Sequence, residues 1–160
     1  MSRERNRGAR VRAIDLAEAI EILEVRASIE ALVARRAAAR ATGPERDALR
    51  AVIAEMEQRA AAGDLLGYSQ LNARLHAAIL ALAGHATAAK LLATLQSQAV
   101  RYQFRTILQP GRPAQSLAEH QAIVDRICAG DETGAEAAMR LHLDGVIHAL
   151  RGAGTAATAF

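Results

Sequence analysis

The chain has 160 residues, carries a formal net charge of +3, and is 51% hydrophobic but only 2% aromatic. This size suits one domain with a real core, and the scarcity of aromatic residues beside abundant alanine argues against a β-sandwich. Polar residues interrupt every apolar run well short of the roughly 20 residues that a membrane span requires, and no secretory leader is evident. The lone cysteine, Cys128, excludes an internal disulfide. We therefore expect a cytoplasmic protein.

Proline and glycine divide the sequence into six helical segments with short connections, which predicts one all-α domain, an antiparallel bundle of six to seven helices. The first helix runs from about residue 15 to 41. Pro44 suits the first turn of the second helix, which ends near Gly63. Apolar residues recur at three- and four-residue spacings along the first helix, at Ile22, Val25, Ile29, Leu32 and Val33.

A capping aspartate and a terminal glycine bound the third helix, and the fourth helix follows it. Asp64 caps the third helix and Gly84 ends it, which places His85 in a loop. The fourth helix spans roughly residues 87–108. The segment "QPGRPAQ" at 109–115 is predicted to form a loop because it contains two prolines.

The last two helices have clear boundary signals. Ser116 and Glu119 have the spacing of a capping box, which predicts the start of the fifth helix at that serine. Gly130 ends this helix, and Asp131 caps a sixth helix that runs to about Leu150. The remaining residues, 152–160, form a predicted disordered tail.

Three histidines lie on apolar stripes of three different predicted helices: His76, His120 and His142. Asn72 precedes His76 by one helical turn and therefore shares its face. Each buried ring nitrogen needs a partner, and convergence on one divalent cation would satisfy all three rings. The alternative is three separate core histidines, each bonded to a backbone carbonyl.

A second group of residues lies near the end of the predicted fourth helix. Arg101 and Arg105 are four residues apart, with Tyr102 between them, so both guanidinium groups share one face. Such a fork suits a carboxylate or phosphate. A solvated helix face would produce the same spacing.

Three stretches carry a resemblance in their order and spacing: "EVRASIEALVARRAAARAT" (24–42), "LNARLHAAILALAGHATAAKLL" (71–92) and "SLAEHQAIVDRICAGDETGAEAAMRLHL" (116–143). The most specific parts are Glu119 with His120, "AGD" at 129–131, and Met139 and Arg140 before His142. Together they closely resemble the effector-binding domain of the FadR subfamily of GntR transcriptional regulators. The resemblance covers about residues 12–150.

This resemblance implies a helical bundle whose central cavity binds a small organic acid, often beside a metal held by three histidines and an acidic residue. His76, His120 and His142 match the three histidine ligands of the family, and zinc or nickel is the expected ion. Asn72 stands where most metal-binding members have aspartate. An amide oxygen can coordinate but adds no negative charge, so we expect a weaker hold on the cation.

The resemblance also implies a partner for the acid and a domain arrangement. Arg101, with Arg105 and Tyr102 beside it, matches positions that approach the effector carboxylate in relatives. Residues 7–15 resemble the end of a DNA-binding wing and its linker. We therefore expect residues 1–11 to be a wing remnant, 12–151 to form the effector-binding and dimerisation domain, and 152–160 to be the tail.

The predicted function is that of a ligand-sensing, homodimeric regulator domain rather than an enzyme. Operator DNA would be contacted only through an N-terminal winged helix that this sequence lacks. Two alternatives remain open from the sequence: a metal-dependent hydrolase or lyase, since three histidines can activate water, and a purely structural helical dimerisation module. The first is disfavoured because Glu119 is assigned to a cap and Asn72 cannot accept a proton.

Overall fold

The computed structural model describes residues 14–156, apart from the side chains of residues 99–101, 103 and 154–156. This part of the chain folds into six α-helices and contains no strand, which confirms the prediction of an all-α bundle. The helices are α1 (Leu16–Arg40), α2 (Gly43–Ala61), α3 (Leu65–Ala83), α4 (Ala86–Ile107), α5 (Arg112–Ala129) and α6 (Glu132–Ala156). Within the described range, no helix combines the length and the apolar character that crossing a membrane requires.

Helix α1 lies at the centre of the bundle, where it packs against α3, α4, α5 and most extensively α6. Its buried face is rich in alanine, and the small side chains allow neighbouring helices to approach closely. These buried alanines are Ala19, Ala27, Ala31, Ala34, Ala37 and Ala38. The same face buries Arg26 and Glu30, two charged residues within an otherwise apolar contact.

The predicted apolar face of the first helix is wrong in part. Ile22 and Val33 are buried as predicted, but Val25 and Leu32 are 52% and 42% exposed. Alanines, and not Val25 and Leu32, fill the contact between α1 and the neighbouring helices. The stripe of larger aliphatic side chains is therefore rotated away from the buried face of α1.

Several helix ends match the sequence signals. The Asp64 carboxylate accepts a hydrogen bond from the Gly67 N–H at 2.8 Å, and Gly84 ends α3 with a φ of +58°. His85 is not merely in a loop: it precedes α4, and its Nδ1 accepts from the Ala88 N–H at 3.3 Å. Glu45 accepts from the backbone N–H of Thr42 at 2.8 Å, a capping contact that the sequence reading missed.

Helix α5 begins at Arg112, so the predicted capping box of Ser116 and Glu119 is wrong. Gly111, with a φ of +79°, ends the preceding turn, and Pro113 is tolerated because the first turn of a helix needs no intrahelical N–H donor there. The segment predicted as a two-proline loop therefore contains the first turn of α5. As a consequence, Ser116 and Glu119 lie one turn or more inside the helix, where they face the interior.

The two chain ends differ from the predicted boundaries. Helix α6 extends to Ala156, beyond the predicted end near Leu150 and into the segment predicted as a disordered tail. The predicted wing remnant, residues 1–11, and residues 157–160 lie outside the described part of the chain.

Candidate metal centre

A cavity of about 470 Å³ lies inside the bundle, between α1, α3, α4, α5 and α6. Its wall is mostly aliphatic, with a limited number of polar groups. The polar and charged lining residues are Arg26, Glu30, Ser69, Asn72, His76, Gln96, Thr106, Arg112, Ser116 and His142. A concave, largely apolar chamber with convergent polar groups is typical of a small-molecule site.

The structure brings the three predicted histidines together beside this cavity, which His76 and His142 line. One ring nitrogen of each lies within 4.8 Å of those of the other two. Nε2 of His76 is 3.1 Å from Nε2 of His120, and the His120 and His142 ring centroids are 4.2 Å apart. His120 is fully buried and His142 is 4% exposed. Each ring comes from a different helix, so the cluster joins α3, α5 and α6.

The distance between the His76 and His120 nitrogens fits a shared metal ion. Two nitrogen ligands with bonds of about 2.0–2.1 Å lie about 3.3 Å apart around a tetrahedral ion and about 2.9 Å apart around an octahedral one. The measured 3.1 Å between His76 and His120 falls between these values. The triad is therefore a donor set that could hold a divalent cation.

The outer nitrogen of each ring has a polar neighbour that fixes the orientation of the ring. Nδ1 of His76 is 2.6 Å from a Glu30 carboxylate oxygen, and Nδ1 of His142 is 2.7 Å from a Glu119 oxygen. The Ser116 hydroxyl lies 3.3 Å from Nδ1 of His120. A carboxylate that accepts from Nδ1–H leaves Nε2 as the lone-pair donor, which is the usual arrangement behind metal-binding histidines.

The electrostatic environment keeps two of the rings neutral. Burial, followed by the neighbouring His142 and His76 rings, holds the pKa of His120 well below its ordinary value. Burial also lowers the pKa of His142, although the hydrogen bond to Glu119 opposes that shift. Neutral imidazole is the form that ligates a metal, so burial here favours coordination over protonation.

The two carboxylates beside the triad remain ionised. Burial disfavours the charged form of Glu30, but the charge and hydrogen bond of His76, together with Arg26, lower its pKa to about 2. Burial also opposes ionisation of Glu119, yet hydrogen bonds from His142 and Arg112 hold its pKa below the ordinary value. Both carboxylates can therefore accept hydrogen bonds from histidine at neutral pH.

Asn72 lines the cavity one helical turn before His76 on α3. Its Oδ1 is buried and has no hydrogen-bond partner, which is costly for an amide oxygen unless something else binds it. Three core histidines without an ion would be a structural alternative, because a hydrogen bond between His76 and His120 satisfies both facing nitrogens at 3.1 Å. That alternative leaves the Asn72 oxygen without a partner.

Glu119 occupies a space that Gly145 of α6 provides. A Cβ at position 145 would lie 2.8 Å from a Glu119 oxygen, closer than side-chain carbons approach. The same carboxylate binds Arg112 through two parallel hydrogen bonds of 2.8 and 2.9 Å. The assignment of Glu119 to a helix cap is thus replaced by a role behind His142.

Two of the predicted effector-binding residues on α4, Tyr102 and Arg105, do not line the cavity. Tyr102 is buried and donates its hydroxyl hydrogen bond to the Ile14 carbonyl at 2.8 Å, and Arg105 is exposed, with its guanidinium 5.9 Å from the Tyr102 ring centre. The side chain of Arg101 lies outside the described part of the structure. Among the side chains that the structure describes, the arginines that line the cavity are Arg26 and Arg112.

Sequence reasoning missed Arg26, Glu30 and Arg112. Arg26 and Glu30 are four residues apart, a spacing that indicates an ordinary surface ion pair, and no sequence signal placed them inside. Arg112 fell in the segment predicted as a loop. The mid-helix glycine at 145, one turn after His142, was the available signal that something bulky approaches α6 there.

Comparison with known proteins gives a consistent result. A family model described as "FCD domain" matches residues 21–145. The "Putative L-lactate dehydrogenase operon regulatory protein" of Escherichia coli (strain K12) is 36% identical over 132 residues, which cover 77% of this chain and 48% of the relative. The protein of the same name from Shigella flexneri gives the same values. The chain thus spans about half the length of these curated relatives, whose names indicate regulation and not catalysis.

Proposed function

Because this chain belongs to the FCD domain family, the effector-binding domain of GntR-type transcriptional regulators, we propose that it senses a small organic acid beside a divalent cation. The proposed cation ligands are Asn72, His76, His120 and His142. When bound, the cation supplies a concentrated positive charge to which a carboxylate oxygen coordinates. The protein's own groups orient the ligands and shape the cavity around the acid.

The observation that carries the proposal is the orientation of the histidine rings. Glu30 and Glu119 each accept from the Nδ1 side, at 2.6 and 2.7 Å, while the Nε2 side faces the other rings. Two core histidines placed for packing alone would not each require a buried, ionised carboxylate behind them, since burying such charges is costly. The unpartnered oxygen of Asn72 supports the same interpretation.

The cavity supports a small acid as the effector. Its volume of about 470 Å³ lies within the range of small-molecule sites, and Arg26 and Arg112 provide positive charge on its wall. The names of the two relatives refer to an L-lactate dehydrogenase operon, which makes L-lactate the first acid to test.

The metal part is tested by measuring metal content in protein purified without chelator. We expect a stoichiometric first-row divalent ion, most readily zinc or nickel, and its loss in His120→Ala. Exposed His148 provides the control, because His148→Ala leaves the triad intact and should retain the ion. A wild-type protein that binds no ion after incubation with zinc, nickel or manganese contradicts the proposal.

The effector part is tested by a thermal-shift screen of organic and sugar acids on zinc-loaded protein. An acid at about 100 times its Kd adds about 2.7 kcal/mol of stability. For a chain of this size that corresponds to roughly 5–11 °C in Tm. If no acid shifts Tm in the metal-loaded protein, the sensing role is refuted and a structural role is favoured.

We also propose that the domain forms a homodimer and that operator contact belongs to a separate N-terminal domain. Large apolar side chains on the outer faces support association: Val25 and Leu32 lie two turns apart on α1, and Leu108, which follows the end of α4, is 55% exposed. Sedimentation equilibrium of the chain should give twice the monomer mass. A monomer at micromolar concentration, with and without zinc, contradicts the dimer.

A further inference from the structure

One nitrogen of Arg26, a residue of the cavity wall, is buried without an acceptor. The Arg26 residue is 5% exposed and lines the cavity, and its Nη1 has no hydrogen-bond partner. Its Nε and Nη2 both donate to the same Glu30 oxygen, at 3.0 and 2.5 Å. The guanidinium is therefore held firmly on one side and left with an unused donor on the other.

Arg112, the other cavity arginine, provides a contrast. Its Nη1 and Nη2 donate to the two oxygens of Glu119 at 2.8 and 2.9 Å, so its fork is fully used by one carboxylate. Arg26 instead binds Glu30 through the Nε edge, which leaves Nη1 available. Among the described arginine side chains that line the cavity, Arg26 is the one with a buried terminal nitrogen that lacks an acceptor.

We propose that Arg26 is the anion anchor of the cavity, with Nη1 donating a hydrogen bond to a carboxylate of the bound acid. An unpaired guanidinium N–H in a buried site favours an acceptor strongly, and a carboxylate is its best partner. This inference rests on the proposed function and adds a binding residue to it. It assigns the acid to the wall formed by α1, instead of to the α4 residues Arg105 and Tyr102.

The position of Arg26 also defines which acids fit. One Glu30 oxygen accepts from Arg26 and the other accepts from His76, so a single carboxylate separates the guanidinium from the triad. Glu30 lies on the Nδ1 side of His76 and the proposed cation on the Nε2 side, so an acid bound at Nη1 must extend past the His76 ring to reach the cation. The ligand class is a small organic acid with one carboxylate at Arg26 and a further oxygen group toward the triad.

The test uses zinc-loaded, full-length protein and calorimetric titration with L-lactate, succinate, citrate and D-gluconate. Arg26→Lys keeps a positive charge for Glu30 but removes the second terminal nitrogen. We expect it to weaken the best-binding acid by about 10- to 100-fold, the value of one charge-assisted hydrogen bond. Metal content is measured before each titration, so that acid binding is compared between fully zinc-loaded proteins.

Two matched variants separate the anchor from general charge effects. Arg112→Lys alters the other cavity arginine, and Arg35→Lys alters an arginine whose side chain is 52% exposed. The Arg112→Lys and Arg35→Lys proteins should both bind the acid more tightly than the Arg26→Lys protein does. Acid binding by Arg26→Lys at wild-type strength, or an equal or larger loss in Arg112→Lys, overturns the assignment while leaving the sensing role intact.

A structure of wild-type protein with zinc and the best-binding acid gives a second readout that does not depend on a stable variant. A carboxylate oxygen within 3.2 Å of Arg26 Nη1 supports the anchor. An acid held by Arg112 or by α4 residues alone overturns it. If none of the four acids binds the zinc-loaded wild type, the proposed function itself fails, and this inference fails with it.

Discussion

Gly145 offers a precise test of the space that holds Glu119 behind His142. In Gly145→Ala, the new Cβ would lie 2.8 Å from the Glu119 oxygen Oε1, whereas ordinary contact begins near 3.4 Å. The oxygen must therefore move by about 0.6 Å if it takes up the whole clash. That oxygen is the acceptor of the 2.8 Å hydrogen bond from Arg112 Nη1.

The expected magnitude follows from two opposing effects. Losing a hydrogen bond between charged groups costs about 1.5–3 kcal/mol. Replacing glycine by alanine inside a helix returns about 0.5–1 kcal/mol. The net destabilisation is about 0.5–2.5 kcal/mol, which corresponds to a fall in Tm of roughly 1–10 °C for a chain of this size.

Circular dichroism melting in chelator measures this effect without any contribution from a metal. Gly152→Ala is the matched control, since it lies on the same helix and a Cβ there meets nothing within 4 Å. We expect Gly152→Ala to leave Tm unchanged or raise it. A rise in Tm for Gly145→Ala equal to that of the control would refute the claim that Glu119 is fixed in this space.

Three further predictions follow from the site and the caps. Glu119→Gln should weaken zinc binding by about 10- to 100-fold in a chelator competition, because the residue orients His142; an unchanged Kd contradicts this role. Asn72→Asp should strengthen zinc binding by about tenfold or more, because it adds a charge to a neutral donor set, and equal or weaker binding argues against coordination by this residue. The pKa of Asp64 is lowered mainly by the hydrogen bond from the Gly67 N–H and to a smaller extent by Arg59. The stabilisation that this carboxylate provides is therefore complete above its unfolded pKa near 4 and is lost as the pH falls through its lower, folded pKa. Asp64→Asn keeps a cap acceptor but does not titrate, so its Tm should fall less than that of wild type between pH 5 and 3, and parallel losses contradict the assignment.

The sequence predicts the histidine cluster because its signals are local. His76, His120 and His142 each lie on an apolar stripe of a separate helix, and family resemblance connects the three. The structure brings their ring nitrogens within 4.8 Å, as that interpretation requires. The presence of the helices was likewise predictable, since alanine favours a helix and glycine ends one through interactions among neighbouring residues.

The charged residues around the triad could not be predicted in the same way. Whether the Arg26 and Glu30 pair faces solvent or interior depends on the rotation of α1, and the exposed Val25 and Leu32 point to the wrong face. Glu119 was misassigned because the serine and glutamate spacing of a capping box also occurs inside helices. The outcome there depended on Gly111 and Arg112, which start α5 one turn earlier.

The charges at the cavity explain why acid and metal binding should depend on each other. Glu30 balances Arg26, Glu119 balances Arg112, and the four proposed ligands bring no negative charge, so the positive charge that attracts an acid would come mainly from the cation. An acid that touches both the cation and Arg26 binds the metal-loaded protein more tightly than the metal-free protein. Reciprocity then requires that the acid raise metal affinity by the same factor. Glu30 connects α1 to His76 of α3. Binding of the cation and the acid would therefore favour one position of α1 relative to α3, by as much as the two ligands bind that position more tightly than the others.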